Sequence, residues 1–149
     1  MIKTIYIIGA LRNPKVPLFA NELVAQGFEP FADWFSPGPD TDDFWRDYSK
    51  TRGWNYKQAL KSYAAQHVFE FDKSHLDRCD AAIMVMPAGK SCHIELGYMR
   101  GRGKPAYVLF EEEPERYDVM LNFATDIFFD KEELFNELKY GSHVYSNFV

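Results

Sequence analysis

Short runs of β-branched and apolar residues alternate along the chain with longer segments whose apolar residues recur at helical spacing. Short runs of this kind are typical of strands buried on both faces, and the longer spacing is typical of amphipathic helices. The pattern predicts strands over residues 2–8, 28–31, 81–86, 106–110 and 127–129. It predicts helices over residues 14–26, 41–51, 55–75, 92–102 and 131–139.

Strands that alternate with helices are typical of a parallel sheet covered by helices on both faces. We therefore expect the chain, residues 1–149, to form one α/β domain, a flavodoxin-like three-layer sandwich with the strand order 2-1-3-4-5. In such a sheet a ligand binds at the carboxyl ends of the strands, at the switch point between strands 1 and 3. The turns that flank this point are residues 9–14 and 87–91.

The segments around the predicted long helix leave several interpretations open. Residues 34–43 are rich in Pro, Gly and Asp, which predicts a loop at the ligand edge. The aromatic insertion from Trp34 to Trp54 either packs as a lid and core or covers a bound base. The helix predicted over 55–75 aligns one apolar face, made of Ala59, Leu60, Tyr63, Ala64, His67, Val68 and Phe71. The pattern of residues 119–125 predicts no clear secondary structure, and the tail 140–149 is either loose or packed on a partner.

Charge and composition exclude several kinds of partner. Lys and Arg number 17 against 22 Asp and Glu, a formal net charge of −5, and no basic run is present, so a nucleic-acid polymer is not an expected partner. No apolar stretch approaches the ~20 residues of a membrane helix. Aromatic residues make up 17% of the chain, more than a small core needs. We expect a second copy to cover the exposed part, giving a homodimer or a larger homo-oligomer.

The cysteines and histidines show no metal-binding pattern. Cys79 and Cys92 form no C-x-x-C pair, and the four histidines lack the spacing of a metal site. Cys92 and His93 are neighbours in sequence and point in different directions on a helix, which argues against a Cys–His nucleophile pair. No signal peptide is visible at the N-terminus. We therefore expect a protein of the reducing cytoplasm that needs no metal or other cofactor.

The turn after strand 3 contains Gly89-Lys90-Ser91, which resembles the end of a phosphate-binding P-loop. A complete P-loop needs a glycine where Met84 stands, so a nucleoside triphosphatase is not expected. A helix that begins here still directs free N–H groups at the switch point, where they can hold an oxygen or an anion. Alternatively, Ser91 only caps this helix.

Two acidic residues lie near the predicted crevice, and a third lies at the opposite edge of the sheet. Glu95 lies one turn inside the helix that starts at the ligand edge, among apolar neighbours that predict partial burial. Asp72 lies in the C-terminal part of the long helix, within reach of the crevice. The pair can supply the acid and the nucleophile that glycosidic-bond cleavage requires, or Asp72 is a solvated helix residue. Asp80 starts strand 3 at the opposite edge and is better explained as a turn or cap residue.

Three stretches match one enzyme family in order and spacing: residues 6–13, 71–85 and 91–105. They resemble the nucleoside 2-deoxyribosyltransferase family, including its relatives that hydrolyse deoxynucleoside monophosphates. The resemblance covers the predicted core strands, residues ~5–110, in the order expected for this fold. The aromatic insertion between Trp34 and Trp54 is longer than the family pattern, and this leaves the substrate open.

The resemblance assigns roles to residues at the crevice. It implies that Glu95 attacks the anomeric carbon and that Asp72 serves the departing base or holds the sugar. It further implies that the sugar and its 5′ end are lined by Tyr6, Gly9, Arg12, Gly89, Lys90 and Ser91. The family often completes its site with a residue of a neighbouring subunit, and the candidates here are Asn122 and Met120.

The expected activity is cleavage of the N-glycosidic bond of a deoxynucleoside or its 5′-monophosphate through a glycosyl-enzyme ester. If water attacks this ester, the protein is a hydrolase. If a second base attacks it, the protein is a transferase. Arg12 and Lys90 flank the switch point and favour a 5′-phosphate over a plain nucleoside. The alternatives are a non-catalytic nucleotide sensor and an enzyme that cleaves NAD-like dinucleotides with the same glutamate.

Overall fold

A computed structural model describes residues 1–141, and the predicted alternatives for the tail beyond Gly141 lie outside this range. One parallel sheet forms the centre of the fold. Its five strands are β1 (Thr4–Ile8), β2 (Glu29–Phe31), β3 (Ala81–Val85), β4 (Ala106–Leu109) and β5 (Asp126–Phe128). They are hydrogen-bonded in the order β2-β1-β3-β4-β5, all parallel, so the predicted fold class and strand order are confirmed.

Helices cover both faces of the sheet. In the described residues they are α1 (Lys15–Ala25), α2 (Thr41–Thr51), α3 (Tyr56–Leu60), α4 (Tyr63–Arg78), α5 (Lys90–Gly101) and α6 (Lys131–Tyr140). Two short 3₁₀ helices span Asp33–Phe35 and Val119–Phe123, the second in a segment the sequence left ambiguous. The strand and helix boundaries differ from the predicted ones by one or two residues at most positions, as helix ends usually do.

The alternation of side chains along each strand divides the core into two layers. Ile5 and Ile7 of β1 pack on the side of α1 and α6. Tyr6 and Ile8 point to the other face, where they join Leu76 of α4 and residues of α5. This alternation places the Tyr6 side chain beneath α5, on the face of the sheet that carries the candidate site.

The prediction of one long helix over 55–75 is wrong in two respects. The segment forms two helices, because Ser62 caps α4 with its hydroxyl, which accepts a hydrogen bond from the Ala65 N–H at 3.3 Å. Its predicted apolar face does not enter the core either: of that face only Ala59 is buried. Helical spacing indicates which residues share a face, but not whether another element covers that face.

The start of α5 also differs from the predicted one. The helix begins at Lys90 rather than at Cys92, and Gly89 with its extended backbone is the N-cap. Ser91 therefore lies in the first turn and does not cap the helix. The Gly89 carbonyl accepts the His93 N–H at 3.3 Å and contacts His93 Nδ1 at 2.7 Å, which fixes this first turn.

Asp80 lies at the edge of the sheet opposite the crevice, where its side chain links two strands. Its Oδ2 accepts the backbone N–H groups of Lys3 and Thr4 at 2.9 and 3.0 Å. These bonds tie the start of β1 to the start of β3, so Asp80 has a structural role away from the crevice. In the described part of the chain, no helix is both long and apolar enough to cross a membrane.

Candidate active site

Two side chains from different elements meet beneath the carboxyl end of the sheet. Tyr6 lies in the middle of β1 and points toward α5, and Glu95 lies in the second turn of α5 and points back to the sheet. The Tyr6 hydroxyl donates a hydrogen bond to Glu95 Oε2 at 2.9 Å. The bond joins two of the predicted site residues, 89 positions apart in the sequence.

Asp72 of α4 lies close enough to act on both of these groups electrostatically. Burial raises the pKa of Glu95 to about 7, the Tyr6 hydrogen bond opposes this rise, and the charge of Asp72 adds to it. Burial alone raises the pKa of Asp72 to about 6. Both carboxyl groups therefore exchange protons near neutral pH, as catalytic acids and bases need to do.

Tyr6 stays protonated throughout this range. Burial raises its pKa, and the negative charges of Glu95 and Asp72 raise it further. A neutral phenol can only donate toward the carboxylate, so its hydrogen bond stabilises the ionised form of Glu95.

An aromatic cluster that the sequence analysis did not single out borders this group. Phe31, the last residue of β2, stacks on the His75 ring of α4 with centroids 3.7 Å apart. Phe31 also contacts Tyr6 at 5.3 Å and Phe71 at 5.8 Å between ring centroids. Arg78 Nε donates to His75 Nδ1 at 2.7 Å. Burial lowers the pKa of His75, and the nearby charge of Arg78 lowers it further.

Two features in the sequence indicate this cluster in retrospect. Phe31 ends a strand at the ligand edge, and His75 follows Asp72 by three positions, which places both on one side of α4. The pattern of β2 is too short to fix which residue ends it, so neither feature was decisive.

Gly9 directly follows β1, and Trp34 packs beside it. A Cβ atom on Gly9 would come within 2.9 Å of Val16 Cγ2 and 3.4 Å of Trp34 Cη2. Trp34 Nε1 donates to the Ile7 carbonyl at 2.8 Å, which holds the indole against the strand. The start of the aromatic insertion thus packs on the ligand edge beside Gly9, and a side chain at position 9 would clash with Val16 of α1.

Arg12 forms ion pairs with two acidic residues of the aromatic insertion. Its guanidinium lies 3.5 Å from an Asp40 carboxylate oxygen and 3.6 Å from one of Asp43. All three side chains are about half exposed or more. The ion pairs link the turn after β1 to the start of α2, and two carboxylates compete with any phosphate for the Arg12 charge.

The remaining predicted residues lie at two separate places. Gly89, Lys90 and Ser91 form the start of α5, where the first N–H groups have no partner within the helix. Asn122 lies in the 3₁₀ segment before β5, and its amide donates to the Val119 carbonyl at 2.9 Å. Among the described residues no hydrogen bond connects Asn122 to the carboxylates, so its role in a neighbour's site stays a prediction.

A groove of about 540 Å³ opens on the opposite face of the sheet. Its apolar floor includes Phe19, Leu109 and Phe129, and neither Asp72 nor Glu95 lines it. Ion pairs between Lys15 and Glu111 and between Lys131 and Glu22 join side chains that line it. The described part of the chain holds no cluster of three His, Cys, Asp or Glu side chains suited to a metal ion.

The fold and the crevice define an α/β sandwich with a carboxylate site at the switch point between β1 and β3. Solved structures share this fold. One is a 2-deoxyribosyltransferase from Bacillus psychrosaccharolyticus, which aligns with a TM-score of 0.59 at 17% identity over 89% of this chain and 90% of that one. Another is the CMP N-glycosidase BcmB from Clostridium botulinum, with a TM-score of 0.51 at 17% identity over 92% of this chain and 99% of that one.

At this level of identity the two likenesses establish the fold and not the activity. No protein-family model matches the sequence, and no curated protein matches it.

Proposed function

We propose that this protein cleaves the N-glycosidic bond of a nucleoside or nucleotide, with Glu95 as the nucleophile. The observation that carries the proposal is the half-buried Tyr6–Glu95 hydrogen bond at the switch point, with Asp72 near enough to influence Glu95 electrostatically. The two solved structures of the same fold belong to a deoxyribosyltransferase and a CMP N-glycosidase, and both names describe chemistry at an N-glycosidic bond.

In the proposed reaction the ionised Glu95 attacks the anomeric carbon of the sugar. The C–N bond breaks, and its electron pair leaves with the base while the Glu95 oxygen forms an ester with the sugar. An oxocarbenium-like transition state carries positive charge on the sugar, and a carboxylate in a buried site stabilises that charge. Water or a second base then attacks the same carbon and releases Glu95.

Asp72 serves the departing base in this proposal. With a pKa of about 6, part of the Asp72 population is protonated near neutral pH and can give its proton to a ring nitrogen of the base. The protonated base is a better leaving group, because it departs without negative charge. In the second half of the reaction the ionised Asp72 takes a proton from the incoming water or base.

The proposal is tested by incubating the protein with nucleosides, nucleoside monophosphates and NAD, and by measuring the free base by chromatography. Release of a nucleobase supports the proposal, and addition of a second base separates transfer from hydrolysis. Binding without release would overturn it in favour of a sensor. Release of nicotinamide alone would point to cleavage of dinucleotides.

The 5′-phosphate preference depends on Arg12, which we propose leaves Asp40 and Asp43 to meet the phosphate. We expect Arg12→Ala to lower kcat/KM for a nucleoside monophosphate about tenfold, because one charge-assisted contact is lost. The kcat/KM for the matching nucleoside should change less than twofold. The measurement is a comparison of the two substrates in both proteins.

Arg46→Ala is the matched control, because Arg46 also pairs with Asp43 but belongs to α2 rather than to the turn after β1. If Arg12→Ala keeps the phosphate preference, Arg12 only pairs with the insertion and does not contact the phosphate. That result would favour a plain nucleoside as the substrate.

We further propose that the protein works as a homodimer through an apolar surface on α3 and α4. The exposed side chains of this α3–α4 surface are Tyr56, Leu60, Tyr63, Val68, Phe69 and Phe71. Together they expose on the order of 700 Å² if an aromatic side chain counts as roughly 200 Å². A standard interface buries about 800 Å² per partner, so a second copy fits this area.

The position of this surface favours a second copy over an unrelated partner. α4 also carries Asp72, so a copy docked here would lie next to the candidate site. The segment before β5 exposes Val119 and Met120 at 70% and 59%, and it is the predicted source of the residue that enters a neighbour's site.

We expect Phe69→Asp to convert a dimer into a monomer, because burying a carboxylate in an apolar interface costs several kcal/mol. Light scattering after size-exclusion chromatography measures the mass at micromolar concentration. Phe44→Asp is the control, since Phe44 is also an exposed aromatic residue but lies on α2. A wild-type protein that is fully active as a monomer would contradict the dimer.

A further inference from the structure

The helix that carries Asp72 has few contacts with the rest of the protein. Of the 16 residues of α4 only Leu76 is buried, and residues 63–71 are exposed apart from the half-buried Ala65. An isolated helix of this length is only marginally stable in water. The position of Asp72 relative to Glu95 must therefore depend on a small number of contacts near the C-terminal end of α4.

Besides the stacking of Phe31 on His75 and the packing of Leu76, these contacts include one polar cluster. We call it the α4–α5 clamp, and it consists of Asp77 of α4, Tyr98 of α5 and Lys104 after α5. The Tyr98 hydroxyl donates to Asp77 Oδ1. Lys104 Nζ donates to the carbonyls of Leu76 and Asp77 in the last turn of α4. Lys73 Nζ donates to Asp77 Oδ2 at 3.0 Å from within α4 itself.

The clamp lies near both candidate catalytic carboxylates. Tyr98 follows Glu95 by three positions, which is slightly less than one helical turn. Asp77 follows Asp72 by five positions, or roughly 7.5 Å along α4. The Tyr98–Asp77 bond thus joins the two helices roughly one turn beyond the two carboxylates.

The Asp77 carboxylate stays ionised in this cluster. The hydrogen bond from Tyr98 lowers the pKa of Asp77 most, and the one from Lys73 lowers it further. A hydrogen bond to an ionised acceptor is stronger and shorter than a neutral one. The link between the helices is therefore charge-assisted, and the Asp77 side chain that accepts it is partly exposed.

We propose, on the basis of the function proposed above, that Tyr98 and Asp77 are positioning residues that set Asp72 against Glu95. Neither touches the reacting atoms. Their bond fixes the distance between two carboxylates whose geometry determines the rate, and a displacement of about 1 Å at such a site can cost up to about 100-fold in rate.

The test is Tyr98→Phe, which removes one hydroxyl oxygen and keeps the ring. We expect kcat to fall about tenfold with KM changed less than twofold, while α4 amides exchange hydrogen faster. Tyr117→Phe is the matched control, because the Tyr117 hydroxyl also donates to a carboxylate, that of Glu113, in an exposed loop. It should leave kcat and the α4 exchange unchanged.

Three further variants separate positioning from loss of stability. Asp77→Asn keeps an acceptor for Tyr98 and should retain more activity than Asp77→Leu. The double variant Tyr98→Phe/Asp77→Leu should be no slower than Asp77→Leu, because both changes break one bond. Wild-type kcat in Tyr98→Phe, or additive losses in the double variant, would overturn the proposal.

A readout without turnover distinguishes failure of the clamp from failure of the proposed function. The groups that face Glu95 are Tyr6 from β1, Asp72 from α4 and Cys92 one turn earlier on α5. If the wild type releases no base from any substrate, the function proposal fails and carboxyl NMR still tests the clamp. Tyr98→Phe should then lower the titration midpoint of Glu95, because Asp72 moves away, and an unchanged midpoint would overturn the clamp.

Discussion

Glu95→Gln should reduce the release of base by at least about 10³-fold while the substrate still binds. The amide keeps the size of the side chain and can still accept from Tyr6, so the fold of the crevice is preserved. It cannot form the glycosyl ester, because an amide oxygen is a poor nucleophile at the anomeric carbon. The measurement is kcat at neutral pH together with the Kd from calorimetry.

Glu133→Gln is the matched control, since Glu133 is an exposed glutamate of α6, which packs on the opposite face of the sheet. It should keep the wild-type rate. A slow 2-fluoro sugar analogue should leave a covalent adduct on the peptide that contains Glu95, visible as an added mass. Near-wild-type turnover in Glu95→Gln would exclude Glu95 as the nucleophile.

The sheet could be predicted from the sequence because its strands are buried on both faces. β1 and β3 are continuous apolar runs that end at a glycine or a proline-containing turn, and in parallel α/β folds such runs form central strands. Their identification fixes the switch point, and the switch point selects the turns and helices that supply a site. Tyr6 and Glu95 are brought together by this topology alone.

The surroundings of the site could not be predicted in the same way. Helical spacing in α4 indicates an apolar face, but only the three-dimensional structure shows that no element of the described chain covers it. The pairing of Arg12 with Asp40 and Asp43 depends on where the insertion folds back, and insertions have no periodic pattern. The link from Tyr98 to Asp77 joins two helices whose relative position no local pattern encodes.

Tyr6→Phe should move the acid limb of the pH–rate profile to higher pH. The Tyr6 hydroxyl stabilises the Glu95 carboxylate, so its loss favours the protonated form and raises the Glu95 pKa above its value of about 7. A hydrogen bond to a charged group contributes about 1.5–3 kcal/mol, which corresponds to a shift of about 1–2 pH units.

Because Glu95 must be ionised to attack, kcat/KM falls as the pH drops below its pKa. At pH 6 the variant should therefore be about 10- to 100-fold slower than the wild type, while above pH 9 the two should converge. Tyr107→Phe is the matched control: Tyr107 is a buried tyrosine of β4 whose hydroxyl lies 3.4 Å from Glu137 Oε2 on the opposite face of the sheet. A profile that keeps its midpoint in Tyr6→Phe, or that moves equally in Tyr107→Phe, would mean that the Tyr6–Glu95 bond does not control the protonation of the nucleophile.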